Sequence, residues 1–217
     1  MNLNRGANDL KRALIIVNGK VNDYDFYKNY INDDDFIVCA DGGIKHLNVI
    51  GIAPDIFVGD FDSCNICDVS GDVEIQSHNP MKNDTDTKLA IDIAFEKGYE
   101  TIEILGGLGG RVDHLLANIF LLRYIHENGG CGKIIDEKNT IMLITDTVTF
   151  EKEENAYVSL IPITEKLEGV TNTGLKYPLN DFNMRFGTTR GISNEFSESA
   201  AEISIKKGQA LVVISKD

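Results

Sequence analysis

The sequence predicts an α/β fold in two parts: an α/β domain with a mostly parallel sheet over residues 1–130, followed by an all-β sandwich domain over residues 131–217. Short apolar runs alternate with helical patterns through the first two-thirds of the chain. After Cys131 no convincing helical pattern occurs, and β-rich segments follow one another between turn residues. With 217 residues, 42% of them hydrophobic, the chain is long enough to form two cores.

The first part contains five strand candidates and two clear helix candidates. The strand candidates are "ALIIVNG" (13–19), "FIVCADGG" (36–43), "DIFVGD" (55–60), "DVEIQSH" (72–78) and "TIEILGG" (101–107). In "TDTKLAIDIAFEKG", apolar residues recur at helical spacing and Gly98 suits a C-terminal cap. A second helix is predicted in "RVDHLLANIFLLRYIHENGG". This alternation indicates a Rossmann-like domain.

The second part contains further strand candidates, and its order predicts a small antiparallel sandwich or barrel. In "IKKGQAL", Gly208 predicts a hairpin turn. The strand candidates are "TIMLITD", "TVTFEKE", "AYVSLIPI", "AEISIKK" and "QALVVISK".

The composition disfavours several classes of partner. A net charge of −13 repels nucleic acids, and a nucleotide substrate would need local positive charge such as bound Mg²⁺. No apolar run approaches the roughly 20 residues that cross a bilayer, so no membrane association is expected. The polar start "MNLNRGANDLKR" predicts a cytoplasmic protein. Cys64 and Cys67 form a lone C-x-x-C, which is read as reduced thiols rather than a zinc or redox site.

Four acidic or glycine-rich clusters stand at the ends of predicted strands: "ADGG" (40–43), "GDFDS" (59–63), "NDTDTK" (83–88) and "GGLGGRVDH" (106–114). In open α/β sheets, ligands bind at the carboxyl ends of the strands. The four clusters are therefore predicted to share one site.

The cluster "GDFDS" predicts a metal site. Asp60 and Asp62 are two positions apart, so in an extended chain both carboxylates point to the same side. Like charges at that distance repel unless a cation lies between them. Mg²⁺ prefers oxygen ligands and commonly uses one or two carboxylates together with substrate phosphates.

Two other clusters leave alternatives open. "ADGG" suits a simple turn or a close backbone approach to a ligand. "NDTDTK" suits a helix N-terminus, where polar side chains cap free N–H groups. Within it, Lys88 is either a phosphate contact or a solvated surface lysine.

The cluster "GGLGGRVDH" matches neither G-x-G-x-x-G nor the Walker A loop. Its glycines nevertheless allow a phosphate to approach the backbone at a helix N-terminus. Arg111 could pair with a phosphate, and Asp113 could contact metal or ribose. Together the acids, glycines and two cations suit phosphoryl-type transfer, in which the protein positions groups and neutralises charge.

These clusters, followed by "TNTGLKYPLND" (171–181) and "FGTTRGISNEF" (186–196), resemble the thiamine pyrophosphokinase (thiamin diphosphokinase) family from about Val38 to Phe196. The resemblance implies an α/β domain followed by a β-sandwich domain. It also implies a homodimer with its active site at the subunit interface. The implied reaction is Mg²⁺-dependent transfer of the diphosphate of ATP to the hydroxyl of thiamine, giving thiamine diphosphate and AMP.

The same resemblance implies roles for individual residues. The catalytic carboxylates would be Asp60, Asp62, Asp86 and Asp113, of which the first three would hold Mg²⁺. Tyr177, where some members carry tryptophan, is either a face for the thiamine ring or a core residue of the sandwich. The nucleotide contacts would be Asp41, Gly42, Gly43, Thr85, Lys88, Gly107 and Arg111. The thiamine contacts would be Tyr177, Ser193 and Asn194.

Two alternative functions remain open at this point. One is a non-catalytic sensor that binds thiamine diphosphate or a nucleotide, since a sensor needs affinity but no cluster of metal carboxylates. The other is a related diphosphotransferase that acts on a different alcohol, such as a pterin.

Overall fold

The structure, a computed structural model, describes residues 11–59, 73–77 and 84–217. The chain divides into two compact units, of which the first covers residues 11–137 and the second Lys138–Asp217. Strand β6 (Cys131–Ile135) thus belongs to the first unit, although the sequence places residue 131 at the start of the second part.

The first unit contains a sheet of parallel strands with the order β6-β5-β1-β2-β3-β4. In register, Ile15 lies between Val38 and Ile104, so neighbouring strands end at the same edge. All five predicted strands are confirmed, and β6 is an addition. The strands are β1 (Arg12–Ile16), β2 (Phe36–Ala40), β3 (Ile56–Gly59), β4 (Glu74–Ser77), β5 (Thr101–Leu105) and β6.

Both helices that the sequence singles out are confirmed as α3 (Asp86–Glu96) and α4 (Val112–Glu127). Gly98, just after α3, has a φ of 86° and donates its N–H to the carbonyl of Phe95. It therefore ends the helix in the left-handed conformation that glycine adopts without strain. The longest helix of the described residues has 16 residues, and none of these helices could cross a membrane. A cytoplasmic location stays a prediction of the sequence.

Two short helices were not singled out from the sequence: α1 (Tyr24–Tyr30) and α2 (Ile44–Ile50). Their buried side chains join a core cluster with the sheet. Burying one large apolar side chain contributes about 1.5–3 kcal/mol, so packing rather than helix propensity stabilises these seven-residue helices. The cluster comprises Leu14, Ile16, Tyr27, Ile37, Cys39, Ile44, Leu47, Phe57, Leu105 and Ile135.

The second unit contains only strands, arranged as two antiparallel sheets with the orders β12-β9-β14-β7 and β11-β10-β13-β8. All residues from 138 to 217 are described, and none of them is in an α-helix, as predicted. Side chains from both sheets meet in one hydrophobic cluster. The strands are β7 (Asn139–Ile144), β8 (Thr147–Glu151), β9 (Ala156–Pro162), β10 (Lys166–Thr173), β11 (Phe182–Arg185), β12 (Asn194–Glu195), β13 (Ala200–Ser204) and β14 (Ala210–Lys216).

The predicted hairpin around Gly208 is wrong. Strand β13 pairs with β8 and β10, whereas β14 pairs with β7 and β9. Gly208 has a φ of 109°, and a Cβ atom there would lie 2.6 Å from the carbonyl oxygen of Lys166. Gly208 therefore lies in the connection between the two sheets, at a point where the backbone passes too close to Lys166 for a side chain to fit.

Candidate active site

Two loops at the carboxyl edge of the parallel sheet lie against each other. The N–H of Val17 donates to the carbonyl of Leu105, and the N–H of Gly19 donates to the carbonyl of Gly106, both at 2.9 Å. A Cβ atom on Gly19 would lie 2.0 Å from the carbonyl oxygen of Gly106. Only glycine fits this approach, because real Cβ atoms do not come within 3 Å of such an atom.

The loop between β5 and α4, residues 106–110, is called the glycine loop below. Gly106, Gly109 and Gly110 all have φ values between 72° and 79°, which side chains rarely adopt. The hydroxyl of Tyr27 accepts from the N–H of Gly106 at 2.8 Å, and Asn118 donates to the carbonyl of Gly107 at 3.0 Å. Gly107, a predicted nucleotide contact, thus lies in a braced loop directly before a helix.

The "ADGG" cluster forms a short 3₁₀ turn directly after β2. Asp41 has a φ of 45°, and its Oδ1 atom is buried without a hydrogen-bond partner in the described residues. A Cβ atom on Gly42 would lie 2.3 Å from the Nδ2 atom of Asn18, and one on Gly43 would lie 2.3 Å from the carbonyl oxygen that ends β1. A Cβ atom on Gly59, where β3 ends, would lie 3.4 Å from the Cα atom of Asp41. The ends of β1, β2 and β3 therefore lie together at this edge of the sheet.

Asp60 and Asp62 follow Gly59 but lie outside the described residues, as do Cys64 and Cys67. Among the residues that the structure describes, no group of three or more Asp, Glu, His or Cys side chains is arranged to hold a metal ion. The magnesium ligands predicted at 60 and 62 stay predictions.

The start of α3 contains three predicted site residues. Thr85 caps the helix, since its Oγ1 atom accepts from the N–H of Lys88 at 3.3 Å. Asp86 lies in the first turn and is half-buried. The ammonium of Lys88 lies 2.8 Å from Asp92 and 3.3 Å from Asp84. The hydrogen bond to Asp92 raises the pKa of Lys88, so the side chain is a cation with two carboxylate partners.

Arg111 and Asp113 form an exposed ion pair at the start of α4. Their side chains make two contacts, at 2.6 Å and 3.1 Å. The hydrogen bond from Arg111 lowers the pKa of Asp113, and the bond to Asp113 raises the pKa of Arg111. These contacts use Nε and Nη2 of Arg111, so a phosphate could approach the Nη1 side of the exposed guanidinium.

The second unit contains a cavity of about 260 Å³, formed by parts of both segments that resemble thiamine-binding segments. Segment 171–181 supplies Tyr177, and segment 186–196 supplies Arg190 and Asn194. The remaining wall is mostly apolar and includes Val158, Leu160, Leu175, Leu179, Ile192 and Ile203. The two segments thus meet within one chain, and the thiamine contacts that the resemblance implies there stay predictions.

Tyr177 and Asn194 hold each other through a reciprocal pair of hydrogen bonds. The N–H of Tyr177 donates to Oδ1 of Asn194 at 2.9 Å, and Nδ2 of Asn194 donates to the carbonyl of Tyr177 at 2.8 Å. The Tyr177 residue is 58% exposed. Reading it as a core residue of the sandwich is therefore wrong, and its ring is available at the cavity.

Ser193 lies between two residues that line the cavity. It has a φ of 57°, and its N–H donates to Oγ of Ser159 at 3.0 Å. The left-handed backbone turns the chain directly before Asn194, so Ser193 contributes at least to the shape of this segment.

Several residues that shape the glycine loop were missed from the sequence, among them Tyr27 and Asn118. Asn118 carried a usable signal, because it occupies the same face of α4 as the buried Leu122 and Ile125. A polar residue on an apolar helix face commonly has a specific hydrogen-bond partner. Tyr27 carried no such signal.

Comparisons with known proteins identify relatives for both parts of the chain. A family model described as "Thiamin pyrophosphokinase, catalytic domain" matches residues 27–130. A second, described as "Thiamin pyrophosphokinase, vitamin B1 binding domain", matches residues 145–210. The thiamine pyrophosphokinase of Bacillus subtilis is 33% identical over 214 residues, covering 96% of this chain and 100% of that protein. Thiamin pyrophosphokinase 1 of Caenorhabditis elegans is 26% identical, covering 85% and 80% respectively.

Solved structures give the same result. The crystal structure of the Bacillus subtilis thiamine pyrophosphokinase is similar with a TM-score of 0.87 at 32% identity, covering 95% of this chain and 100% of that one. The thiamin pyrophosphokinase of Geobacillus thermodenitrificans gives a TM-score of 0.83 at 31% identity, covering 95% and 98%. Since two family models and a relative at 33% identity together span most of the sequence, the chain belongs to the thiamine pyrophosphokinase family.

Proposed function

We propose that the protein transfers the diphosphate of ATP to the hydroxyl of thiamine, giving thiamine diphosphate and AMP. The observation that carries this proposal is the cavity of the second unit. Its walls come from two segments inside the match to a vitamin B1 binding domain, and they bring Tyr177 and Asn194 together. The glycine loop in the first unit supports the other half of the proposal, because it would bind the phosphates of ATP.

We assign nucleotide and Mg²⁺ binding to the first, Rossmann-like domain. The glycine loop precedes the N-terminus of α4, which favours anions because the backbone N–H groups of a first helical turn have no partner within the helix. Arg111 would contact a phosphate through the Nη1 side of its guanidinium while Asp113 holds Nε and Nη2, and Lys88 would keep the local charge balanced against Asp84 and Asp92. The proposed nucleotide contacts are Asp41, Gly42, Gly43, Thr85, Lys88, Gly107 and Arg111.

The oxygen-rich donor set at the sheet edge fits Mg²⁺. Asp41 offers a buried carboxylate oxygen without a partner in the described residues, close to the strand end after which Asp60 and Asp62 follow. We propose that Asp60, Asp62 and Asp86 hold the ion. When bound, Mg²⁺ would offset charge on the phosphate oxygens.

The protein's own groups would position the reactants and move one proton. The thiamine hydroxyl oxygen forms a bond to the β-phosphorus of ATP, while the bond from that phosphorus to the oxygen of the AMP phosphate breaks. A carboxylate, either Asp86 or Asp62, accepts the hydroxyl proton. Asp113 would orient Arg111 toward the phosphates, and the glycine-loop N–H groups would stabilise charge on the phosphate oxygens.

Thiamine would bind to the β-sandwich domain through Tyr177, Ser193 and Asn194. Its thiazolium ring is cationic, and a tyrosine ring attracts a cation over its face. The Lys176 ammonium already lies 5.5 Å from the Tyr177 ring and pairs with Glu195 at 2.8 Å. The substrate cation would therefore compete with a lysine that has another partner.

We also propose a homodimer with the active site at the subunit interface. Exposed apolar side chains next to each half of the site support this proposal. Val112, Leu116 and Phe120 follow the glycine loop on one face of α4, while Phe186 and Ile192 adjoin the cavity segments. A two-fold dimer would bury each set against a partner subunit.

The deciding experiment mixes the protein with ATP, Mg²⁺ and thiamine and identifies the products. AMP together with thiamine diphosphate is the expected result. ADP as the nucleotide product would refute diphosphate transfer. Thiamine diphosphate binding without turnover would favour a sensor, and turnover of a pterin alcohol in place of thiamine would favour the related diphosphotransferase.

A further inference from the structure

His46 is a buried polar residue on α2 to which the proposed reaction gives no role. It is only 2% exposed. Its Nε2 atom lies 2.9 Å from the carbonyl oxygen of Gly19, and its Nδ1 atom lies 2.9 Å from the hydroxyl of Tyr24. Both ring nitrogens therefore have partners, which a buried imidazole needs because unpaired polar atoms are costly to bury.

The Gly19 carbonyl links His46 to the glycine loop. Gly19 uses its N–H to bond the carbonyl of Gly106, while its own carbonyl accepts from His46. Tyr27, one turn after Tyr24 on α1, bonds the N–H of the same Gly106. Helix α1 thus contacts the glycine loop directly through Tyr27, and helix α2 contacts it indirectly, through the bond from His46 to Gly19.

The partners define the protonation state of His46. A carbonyl can only accept, so Nε2 carries the proton and Nδ1 accepts from the Tyr24 hydroxyl. A second proton on Nδ1 would turn this nitrogen into a donor to the Tyr24 hydroxyl oxygen, so that bond would reverse its direction while Nε2 keeps its bond to Gly19. The titratable groups next to the ring among the described residues are Tyr24 from α1 and Lys45 from its own helix, and the positive charge of Lys45 disfavours an imidazolium.

We propose that His46 is a positioning residue for the nucleotide: acting through Gly19, it holds the glycine loop in the shape that accepts the phosphates of ATP. The proposal rests on the nucleotide role that the proposed function gives to this loop. The apolar side chains of Ile44 and Leu47 already attach α2 to the core. The bond from His46 to Gly19 is therefore not needed to hold the helix, and its main effect is to fix the position of the loop.

Three variants test the proposal. His46→Gln keeps an amide donor near the position of Nε2 and cannot titrate. His46→Leu fills similar space without a donor. Ile125→Ala is the matched control. Ile125 is buried near the other end of α4, against Gly130 and Gly132, so this variant should lower the stability of the protein without changing a contact of the glycine loop.

The kinetic readout is the KM for ATP, the KM for thiamine and kcat between pH 5.5 and 8. His46→Leu is expected to raise the KM for ATP about tenfold, the effect of one lost hydrogen bond, with the KM for thiamine changed less than about twofold. His46→Gln restores the KM for ATP to near the wild-type value. The difference in the KM for ATP between His46→Leu and the wild type should persist across this pH range, because a protonated ring keeps its Nε2 donor to Gly19.

Hydrogen exchange of the amides of residues 106–110 gives a second readout that needs no activity. Exchange is expected to be faster in His46→Leu than in His46→Gln and the wild type. If His46→Leu does not fold, Tyr24→Phe carries the same test, since it removes only the hydroxyl that fixes the ring.

Several outcomes overturn the inference. One is an unchanged KM for ATP in a folded His46→Leu protein with unchanged loop exchange. Another is an equal effect on both substrates, or the same effect in Ile125→Ala, because either would indicate general destabilisation. A wild-type protein that forms no AMP would refute the proposed function instead, and the exchange experiment would still decide whether His46 braces the loop.

Discussion

Lys88 and Arg111, the two cations proposed to contact the nucleotide, each have carboxylate partners in the described structure. Arg111 pairs with Asp113, two residues along the same chain, and Lys88 lies between Asp84 and Asp92. The sequence could predict that these cations stand at the starts of helices. It could not predict their partners, because pairing depends on rotamers and on helix packing.

The proposed magnesium site predicts how the loss of one carboxylate, that of Asp62, changes kcat. Asp62→Asn should lower kcat by about 10²-fold or more, because it removes a carboxylate that stabilises the transition state electrostatically. The fold should be unaffected, as judged by circular dichroism. Asp33→Asn, an exposed carboxylate before β2, is the control and should leave kcat unchanged. Near-normal turnover of Asp62→Asn would remove Asp62 from the site.

Arg12, at the start of β1, is part of a buried ion cluster. Its guanidinium bonds Asp35 at 2.6 Å and Glu103 at 2.9 Å, and the Tyr30 hydroxyl donates to Glu103 at 2.7 Å. Arg12→Met should destabilise the protein by about 3 kcal/mol or more, because Glu103 would be left buried without its main partner. Urea unfolding measures this change.

The control for that variant is Lys133→Met. Lys133 lies 3.7 Å from the same Glu103 but is more exposed, so its loss should cost under about 1 kcal/mol. Equal losses of stability in the two variants would contradict the view that Arg12 is the main partner that stabilises the buried Glu103 carboxylate.

His46 also makes stability depend on pH. Burial lowers the pKa of His46 below the value of 6.5 expected in the unfolded chain. As pH falls through 6.5 the unfolded state takes up this proton first, so stability decreases from there down through the folded-state pKa. Above pH 7 the residue has no such effect. The difference in urea midpoint between wild type and His46→Gln should therefore shift against the wild type from pH 7 to pH 5, and an unchanged difference would refute this.

At the scale of elements, long helices were predictable and short ones were not. Helices α3 and α4 carry two or more turns of apolar periodicity. Helices α1 and α2 have seven residues each, too few for periodicity to stand out, and their formation depends on packing against the sheet. The hairpin prediction at Gly208 failed because a turn signal does not tell which sheet each flanking strand joins.

The glycine loop offers a matched pair of substitutions. Gly106 and Gly110 have similar φ values, 74° and 72°. A Cβ atom on Gly106 would lie 2.3 Å from the carbonyl oxygen of Val17, whereas one on Gly110 would meet nothing within 4 Å. Gly110→Ala should cost about 1–2 kcal/mol of folding free energy from backbone strain alone.

Gly106→Ala should cost clearly more than Gly110→Ala, because it must also push apart the loops after β1 and β5. Denaturant midpoints of the two variants give the comparison. Equal costs would mean that the two loops separate readily, and the loop would then not be braced in the way described.

At the scale of the whole molecule, the sequence predicted two parts of different architecture, and the structure contains two compact units, the second of which has no α-helix among its described residues 138–217. The composition change near Cys131 carried that information. The places of the motifs in the fold were predictable in outline because the motifs follow strands or form compact segments. The exact lining of the cavity was not, because β9 and β13 contribute apolar residues that carry no motif.

The proposed dimer makes a prediction for the assembled protein. Phe186 is 67% exposed on the second unit. Phe186→Glu should convert the dimer into a monomer with little activity, because a charge replaces apolar contact area at the interface. Sedimentation and the AMP assay measure both effects. Val49→Glu, at a residue of the first unit that is 61% exposed, is the control and should change neither. A wild-type protein that is fully active as a monomer would refute an active site at the subunit interface.

The position of β14 has a consequence for how the chain is made. This strand lies between β7 and β9 and pairs with both along most of its length. A ribosome adds about 5–20 residues per second, so the roughly 50 residues that separate β9 from β14 take several seconds to emerge. During that interval the nascent β7 and β9 expose unpaired edges that invite pairing with other chains. Shielding by chaperones should therefore matter most for this half of the molecule, late in translation.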